Sequence, residues 1–327
     1  LQDAGLKFPY LNVDLNFQQN AVIDLTKQQF LFNNVDFVDT KYKTKGIING
    51  TISHDGFKKW RLDLDLDAPK RLLVLDTDYT EESLYYGTAF ISGSANIAGP
   101  TEELVINVNA ETQKGTILKI PLNDTETIGD NSYIYFLTPE EKQARKEGKE
   151  IKVKEVKGLE LNFELDVTHE AEVEIVIDQN SGSSLRGSGA GTLLMEISTN
   201  GKFNMWGDFV VYNGVYNFKY AGLVQKEFEV VPGGNITWDG SPTKADLNVR
   251  ALYRAEANPA IFLENPVINR NIPVDVYINL NGELSETDIS FDLEYPNLSS
   301  VVKSELQYRI SDRQNTEIQA LSLITQG

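Results

Sequence analysis

The chain is 327 residues long, enough for one large core or two domains, and it carries 48 Asp and Glu against 30 Lys and Arg, a formal charge of −18. That sign repels phosphate backbones and anionic membrane faces, so nucleic acid is excluded as a partner, and so is adhesion to such a membrane through the outer surface. The absence of cysteine excludes disulfides, thiolate catalysis and thiolate-bound zinc, while 15 Phe and 14 Tyr against 2 Met lean the composition toward β-structure.

No apolar run approaches the roughly 20 residues of a membrane-spanning helix, and the opening LQDAGLKFPY lacks the charged and apolar regions of a signal peptide. The chain begins directly on a strand pattern and reads as a fragment of something longer. Val13, Leu15 and Phe17 face one way while Asn12, Asp14 and Asn16 face the other, and Leu62, Leu64 and Leu66 alternate in the same way with Asp63, Asp65 and Asp67. The pattern returns at Leu104, Ile106 and Val108, then from Leu159 through Leu161, Phe163 and Leu165 to Val167, then at Val173, Ile175 and Ile177. One face is oily and the other acidic.

Between these runs lie turn signals: Asn49-Gly50, His54-Asp55-Gly56, Ala68-Pro69, Ser92-Gly93, Gly99-Pro100 and Lys114-Gly115. Their spacing of around 8 to 12 residues is the cadence of an antiparallel meander. Thr138 to Gly158 breaks it with a dense mixture of charges. Thr138 is placed as an N-cap with Pro139 at the first helical position, which predicts an exposed helical insertion or loop.

Leu185 to Gly240 is the stretch around which the chain is organised, a run of adjacent antiparallel strands with aromatics at alternate positions, such as Tyr216 and Phe218. Strands resume from Pro242 to Pro296, with a longer loop predicted over Glu256 to Pro273 and a hairpin at Asn281-Gly282. From Asn297 to Gly327, Val302, Leu306 and Ile310, followed by Ile318, Leu321, Leu323 and Ile324, predict two short amphipathic helices covering the open end of a sheet.

About twenty strands spaced about 4.8 Å apart make a ribbon on the order of 100 Å long with one oily face. That face can pack on a second sheet, close into a barrel, or curl lengthwise into a trough. Periodicity alone favours the sandwich, the commonest solution. The trough needs an apolar occupant, and a half-buried acyl chain of about sixteen carbons gains roughly 6 kcal/mol, with no register to stop it sliding.

Other chemistry fits poorly. Gly187-Ser188-Gly189-Ala190-Gly191 lacks the following helix that a phosphate loop needs, and Asp63, Asp65 and Asp67 lack the turn glycine of a calcium loop. His54 and His169, read as exposed, have no nucleophile or metal motif beside them. Trp206, Phe209, Tyr212, Tyr216, Phe218 and Trp238 read as cross-strand pairs or as lining of the oily face rather than a carbohydrate platform. A transmembrane barrel would suit the alternation but not the acidic outer face or the helical interruptions.

Gly214-x-Tyr216-x-Phe218, Lys226-x-Phe228, Gly233 through Pro242, Ala245, Leu247 and Ala251-x-Tyr253 resemble the C-terminal domain of the TamB family. Pro273-Val274, Leu280-x-Gly282-x-Leu284, Ile289-x-Phe291, Tyr295-Pro296 and Glu317-x-Gln319-Ala320-Leu321 continue the likeness. Tyr85-Tyr86-Gly87, Gly93 and Ile97-Ala98-Gly99 resemble the repeating strands before that domain. The Thr138 to Gly158 insertion is not a feature the family leads one to expect.

The resemblance implies an all-β fold, a long curled antiparallel sheet (β-taco) with an apolar concave interior and a helical C-terminal segment. It tips the choice from sandwich to trough. The implied organisation is an upstream β-groove over 1–180, the family-type groove domain over 181–296 and a helical tail over 297–327. The implied role is a non-enzymatic, cofactor-free periplasmic conduit for phospholipid, bridging the inner and outer membranes. Its full-length form would be anchored by an N-terminal helix absent from this sequence, and it would act with an outer-membrane barrel of the BamA or TamA type. Leu62, Leu64, Leu66, Leu161, Phe163, Leu165, Val211, Phe228, Val276, Ile278 and Phe291 are then expected to line the groove. Val302, Leu306, Ile310, Leu321 and Ile324 are expected to meet the partner. The alternative is a scaffold for outer-membrane protein assembly that pairs strands with the barrel and carries no lipid.

Overall fold

A computed structural model describes residues 4–18, 21–80, 83–122, 158–178, 182–198, 202–220, 224–259, 268–309 and 312–326. The all-β expectation holds. Among the described residues eighteen strands form one sheet, and the α-helices there, α1 (Ser300–Arg309) and α2 (Arg313–Gln326), lie in the C-terminal segment. The predicted insertion over 138–158 lies outside the described residues except for Gly158, and so does Ile310.

The sheet opens with β1 (Gly5–Phe8), β2 (Val13–Phe17), β3 (Ile23–Leu25), β4 (Gln29–Asp39) and β5 (Lys45–Asp55). Its middle is β6 (Lys58–Thr77), β7 (Tyr86–Pro100), β8 (Val105–Thr112), β9 (Ile117–Pro121), β10 (Glu160–Val167), β11 (Glu172–Asp178), β12 (Ser183–Ser198) and β13 (Phe203–Tyr220). It closes with β14 (Val224–Val230), β15 (Asn235–Gly240), β16 (Asp246–Ala257), β17 (Ile272–Glu283) and β18 (Asp288–Glu294). Leu185 to Gly240 does supply adjacent antiparallel strands, β12 to β15.

Strands are longer than the turn signals predicted, β6 reaching 20 residues. Several of those signals sit inside strands. Pro69, Lys70 and Arg71 bulge between the pairs Ala68 with Gly93 and Leu72 with Ile91, so the proline's missing N–H interrupts no ladder bond. Asn49-Gly50 lies within β5 and Asn281-Gly282 within β17, where a 3-10 turn at Leu284–Glu286 makes the connection instead.

These mid-strand irregularities line up. The bulge in β6 adjoins Gly93 of β7. The line continues through the break between β8 and β9, and the break between β10 and β11, where the Thr168 N–H donates to Thr112 Oγ1 at 2.8 Å. The register shift at Ser188 and Gly189, opposite Val211 and Asn213, and the gap between β14 and β15 complete it. Together they make a crease across the ribbon, dividing it into two arms. The first holds β6 to Ala68, β7 from Gly93, β8, β10, the end of β12, the start of β13, and β15. The second holds β6 from Leu72, β7 to Ile91, β9, β11, the start of β12, the end of β13, and β14.

The crease explains the core. Among the described residues the sheet has two short helices beside it, too little to cover one whole face unless the sheet folds on itself, and inward residues from both arms do join one apolar cluster. Leu64 and Leu161 of the first arm and Ile175 and Phe228 of the second are at most 2% exposed.

Two pairings depart from the antiparallel expectation: β10 runs parallel to β8, and β11 parallel to β9. Leu122 donates to the Val176 carbonyl at one lip, and Glu160 to the Leu104 carbonyl at the other. A parallel pair cannot be joined by a hairpin, and the sequence's break in the meander falls between β9 and β10.

Buried tyrosines make the fold sensitive to alkali. Burial pushes the ionisation of Tyr216 and Tyr295 up to about 12, above the ordinary phenol value of 10. The folded state holds these protons more tightly than the unfolded chain. Stability is therefore fully present below pH 10 and lost as pH rises from 10 toward 12, on the order of 3 kcal/mol per tyrosine. Denaturant midpoints measured from pH 8 to 12 should fall in that window, and Tyr216→Phe should shallow the fall. An unchanged slope in the variant would contradict this assignment.

Candidate apolar groove

The space between the arms narrows to a partly open cavity of about 160 Å³. Leu66, Ile97, Val108, Leu161, Leu165, Met195 and Ile197 line it from the first arm, and Leu75, Ile91, Leu118, Ile120 and Val173 from the second. Phe8, Leu11, Val13 and Leu15 of the N-terminal hairpin close one side. The strand period places all of these but Leu11, which lies in the β1–β2 turn, on one face, and the crease turns that face inward.

Size limits what the groove can hold. An apolar cavity of about 150 Å³ stays dry and admits a benzene-sized group. The groove therefore accepts a short stretch of hydrocarbon as it stands, and a complete acyl chain would require the arms to part. Tyr85 and Phe203, contributed from opposite arms, meet edge to face at 5.8 Å between ring centroids across the opening.

Of the predicted lining residues, Leu66, Leu161, Phe163 and Leu165 reach this cavity. Leu62 and Leu64 lie further along the first arm, half-buried and fully buried. Val211, Phe228, Val276, Ile278 and Phe291 are buried beyond it, where the interior is filled. There Tyr216, Phe218, Phe228, Tyr253 and Phe291 pack ring against ring at 5.6–6.4 Å.

Helix α2 lies against β14, β16 and β18 with Ala320 and Ile324 fully buried, and Leu306 of α1 is equally enclosed. Leu306 and Ile324, expected to meet a partner, instead close the fold, because an amphipathic helix in water turns its apolar side onto the nearest oily surface. Val302 and Leu321 are half-buried beside them. The apolar side chains that the helices leave exposed are Val301, Tyr308 and Ile318.

The alternation also indicated cavity residues that were not singled out as lining, such as Ile106 and Val108. Met195, Phe203 and Met205 were missed, although their alternate positions in β12 and β13 carried the signal. Phe209 and Trp238 line the cavity, as the reading of the aromatics as lining anticipated, whereas Tyr212 points outward at 46% exposure.

Gly187 to Gly191 lie within β12. Asp63, Asp65 and Asp67 project outward, Asp65 accepting from Asn96 Nδ2 at 2.9 Å. His169 is exposed in the crease, as expected. His54 is not: it is 7% exposed, stacked on Phe57 with Phe30 and Trp60 around it, and its Nδ1 accepts the Phe57 N–H at 3.1 Å. The aromatic residues on the neighbouring strand and turn cover it. A wider concavity on the outer face of the first arm, about 830 Å³, has a mixed lining, with Asp65, Asn96, Glu164 and Glu196 beside Phe163, Leu194 and Trp206.

Among the described residues no group of His, Asp and Glu is arranged to hold a metal, and no helix is long and apolar enough to cross a membrane. Against known families, the model for the TamB C-terminal domain matches residues 36–327. No curated protein matches the chain.

Proposed function

This chain belongs to the TamB family, and from that premise we propose that it is a non-enzymatic segment of a periplasmic lipid conduit. Hydrocarbon chains of phospholipids occupy the space between the arms and move along it toward the outer membrane. The family is one of translocation and assembly modules of the cell envelope, and the apolar cavity bounded by both arms is the observation that supports lipid as the cargo. Non-directional burial, at about 0.8 kcal/mol per CH₂, holds a chain without fixing its register.

The filled aromatic section and the helices beside β14, β16 and β18 make the C-terminal end of the groove a closed end in this conformation. Transfer onward therefore needs this end to open, or the lipid to leave sideways between the lips. The test is mass spectrometry of the chain purified from an envelope-containing lysate and washed free of detergent. Stoichiometric phospholipid is expected, and a lipid-free protein that also takes up none from vesicles would refute the conduit.

A second reading, an assembly scaffold for an outer-membrane barrel of the BamA or TamA type, is favoured by β18. That strand has a single ladder partner, β17, among the described residues, so its other edge could accept a strand. Exposed Val301, Tyr308 and Ile318 lie in the two helices that follow it.

A further inference from the structure

Two buried hydroxyls at one lip of the groove lack hydrogen-bond partners: Thr77 Oγ1 and Tyr85 Oη. They belong to the same place. Thr77 ends β6 directly opposite Gly87 of β7, and by alternation its side chain falls on the face of Leu75, which lines the cavity. Tyr85, two residues before Gly87, lines the same cavity, and its ring meets Phe203 of the other arm. The Tyr10 phenol, in the turn between β1 and β2, is a polar neighbour that also bears on this hydroxyl. Burial, and then that neighbour, raise the ionisation of Tyr85 far above the ordinary phenol range, so the group is a neutral donor at physiological pH.

A fold seldom leaves two shielded hydroxyls unsatisfied at one spot, since each loses its bonds to water and gains nothing in return. We propose that Thr77 and Tyr85 form a polar clasp for the ester carbonyl of an acyl lipid, seating the glycerol end at the lip while the chain lies against Leu75 and Leu118. The proposal rests on the conduit reading and adds a chemical preference to it. A hydrocarbon chain alone satisfies the cavity, but it leaves these two donors without the acceptor that an ester carbonyl supplies. The acidic outer surface offers nothing comparable to the glycerol region, so the clasp would set where along the groove a lipid pauses.

The test offers the full chain equal amounts of diacyl and dialkyl-ether phosphatidylethanolamine of one chain length in mixed vesicles, and bound lipid is read by mass spectrometry. The unmodified protein should prefer the diacyl lipid about three- to tenfold, the range of one or two hydrogen bonds. Tyr85→Phe and Thr77→Val should each bring that ratio toward one. The Tyr85→Phe thermal midpoint should stay level or rise, because the hydroxyl removed is buried without a hydrogen bond of normal geometry. A ratio of one in the unmodified chain, a preference that survives both substitutions, or a lowered midpoint would each overturn the clasp. Equal uptake of the two lipids still leaves the conduit standing, whereas no uptake of either removes the conduit and the clasp together.

Discussion

Leu165→Glu should reduce bound lipid at least tenfold while the neighbouring Asp166→Asn leaves it unchanged. Leu165 is 8% exposed, lines the cavity, and stands between Ala110 of β8 and Leu193 of β12. Neither neighbouring side chain can hydrogen-bond a carboxylate. A charge there must draw water into the groove, take up a proton, or force the arms apart, and the cost is on the order of 3–5 kcal/mol. Asp166 points the other way on the same strand, exposed, with Thr192 Oγ1 donating to it at 2.7 Å. Its replacement should cost within about 0.5 kcal/mol.

pH separates charge from shape in this variant. The introduced carboxyl has its folded pKa raised above the unfolded value by burial, so the folded state binds the extra proton more tightly. The penalty is then smallest below the unfolded value of about 4.3 and grows as pH rises through the folded one. Leu165→Gln lacks this dependence. Lipid occupancy and denaturant midpoint measured between pH 4 and 8 for both variants read the difference. Occupancy near the unmodified level in Leu165→Glu at pH 8 would show that the space at Leu165 is not where hydrocarbon lies.

Period-two alternation made the strands and their inward faces legible from sequence. Leu62 to Leu66 and Leu159 to Val167 need no tertiary information to be read as half-oily strands, and the helical spacing of Val302 and Leu306 likewise sufficed for α1. The crease was written in the same residues that mark turns. Gly93 and Pro69 look locally like Gly56, yet Gly56 closes a hairpin while Gly93 sits inside a 15-residue strand. Local composition records that a backbone must bend, but not whether the chain reverses there or continues. The parallel pairings depend on residues more than 50 apart, such as Leu161 with Ile106, and a local pattern carries no trace of them. Phe228 and Ile278 were readable as apolar and inward. That they fill the interior rather than border a space depends on Phe218, Tyr253 and Phe291 converging from other strands, which alternation cannot reveal.

Gly93→Val should unfold the crease. Gly93 has φ +141°, and a Cβ built there would lie 2.3 Å from the Asn109 carbonyl oxygen and 2.7 Å from the Ala110 Cα, both backbone atoms of the neighbouring strand. Neither can swing aside as a side chain could, and a β-branched residue resists positive φ. The expected destabilisation is about 3–5 kcal/mol, the range of strain combined with a backbone clash. Gly56→Ala is the matched control: it also has positive φ, +57°, but nothing within 4 Å of the added atom, so it should cost only about 1 kcal/mol. Hydrogen exchange locates the damage. In Gly93→Val, protection should be lost first at Leu72, Leu73 and Ile91, which pair just beyond the bulge, and binding of an apolar dye should rise as the arms separate. If Gly93→Val costs no more than Gly56→Ala, the bend at Gly93 is incidental and the two arms are held together by their side chains alone.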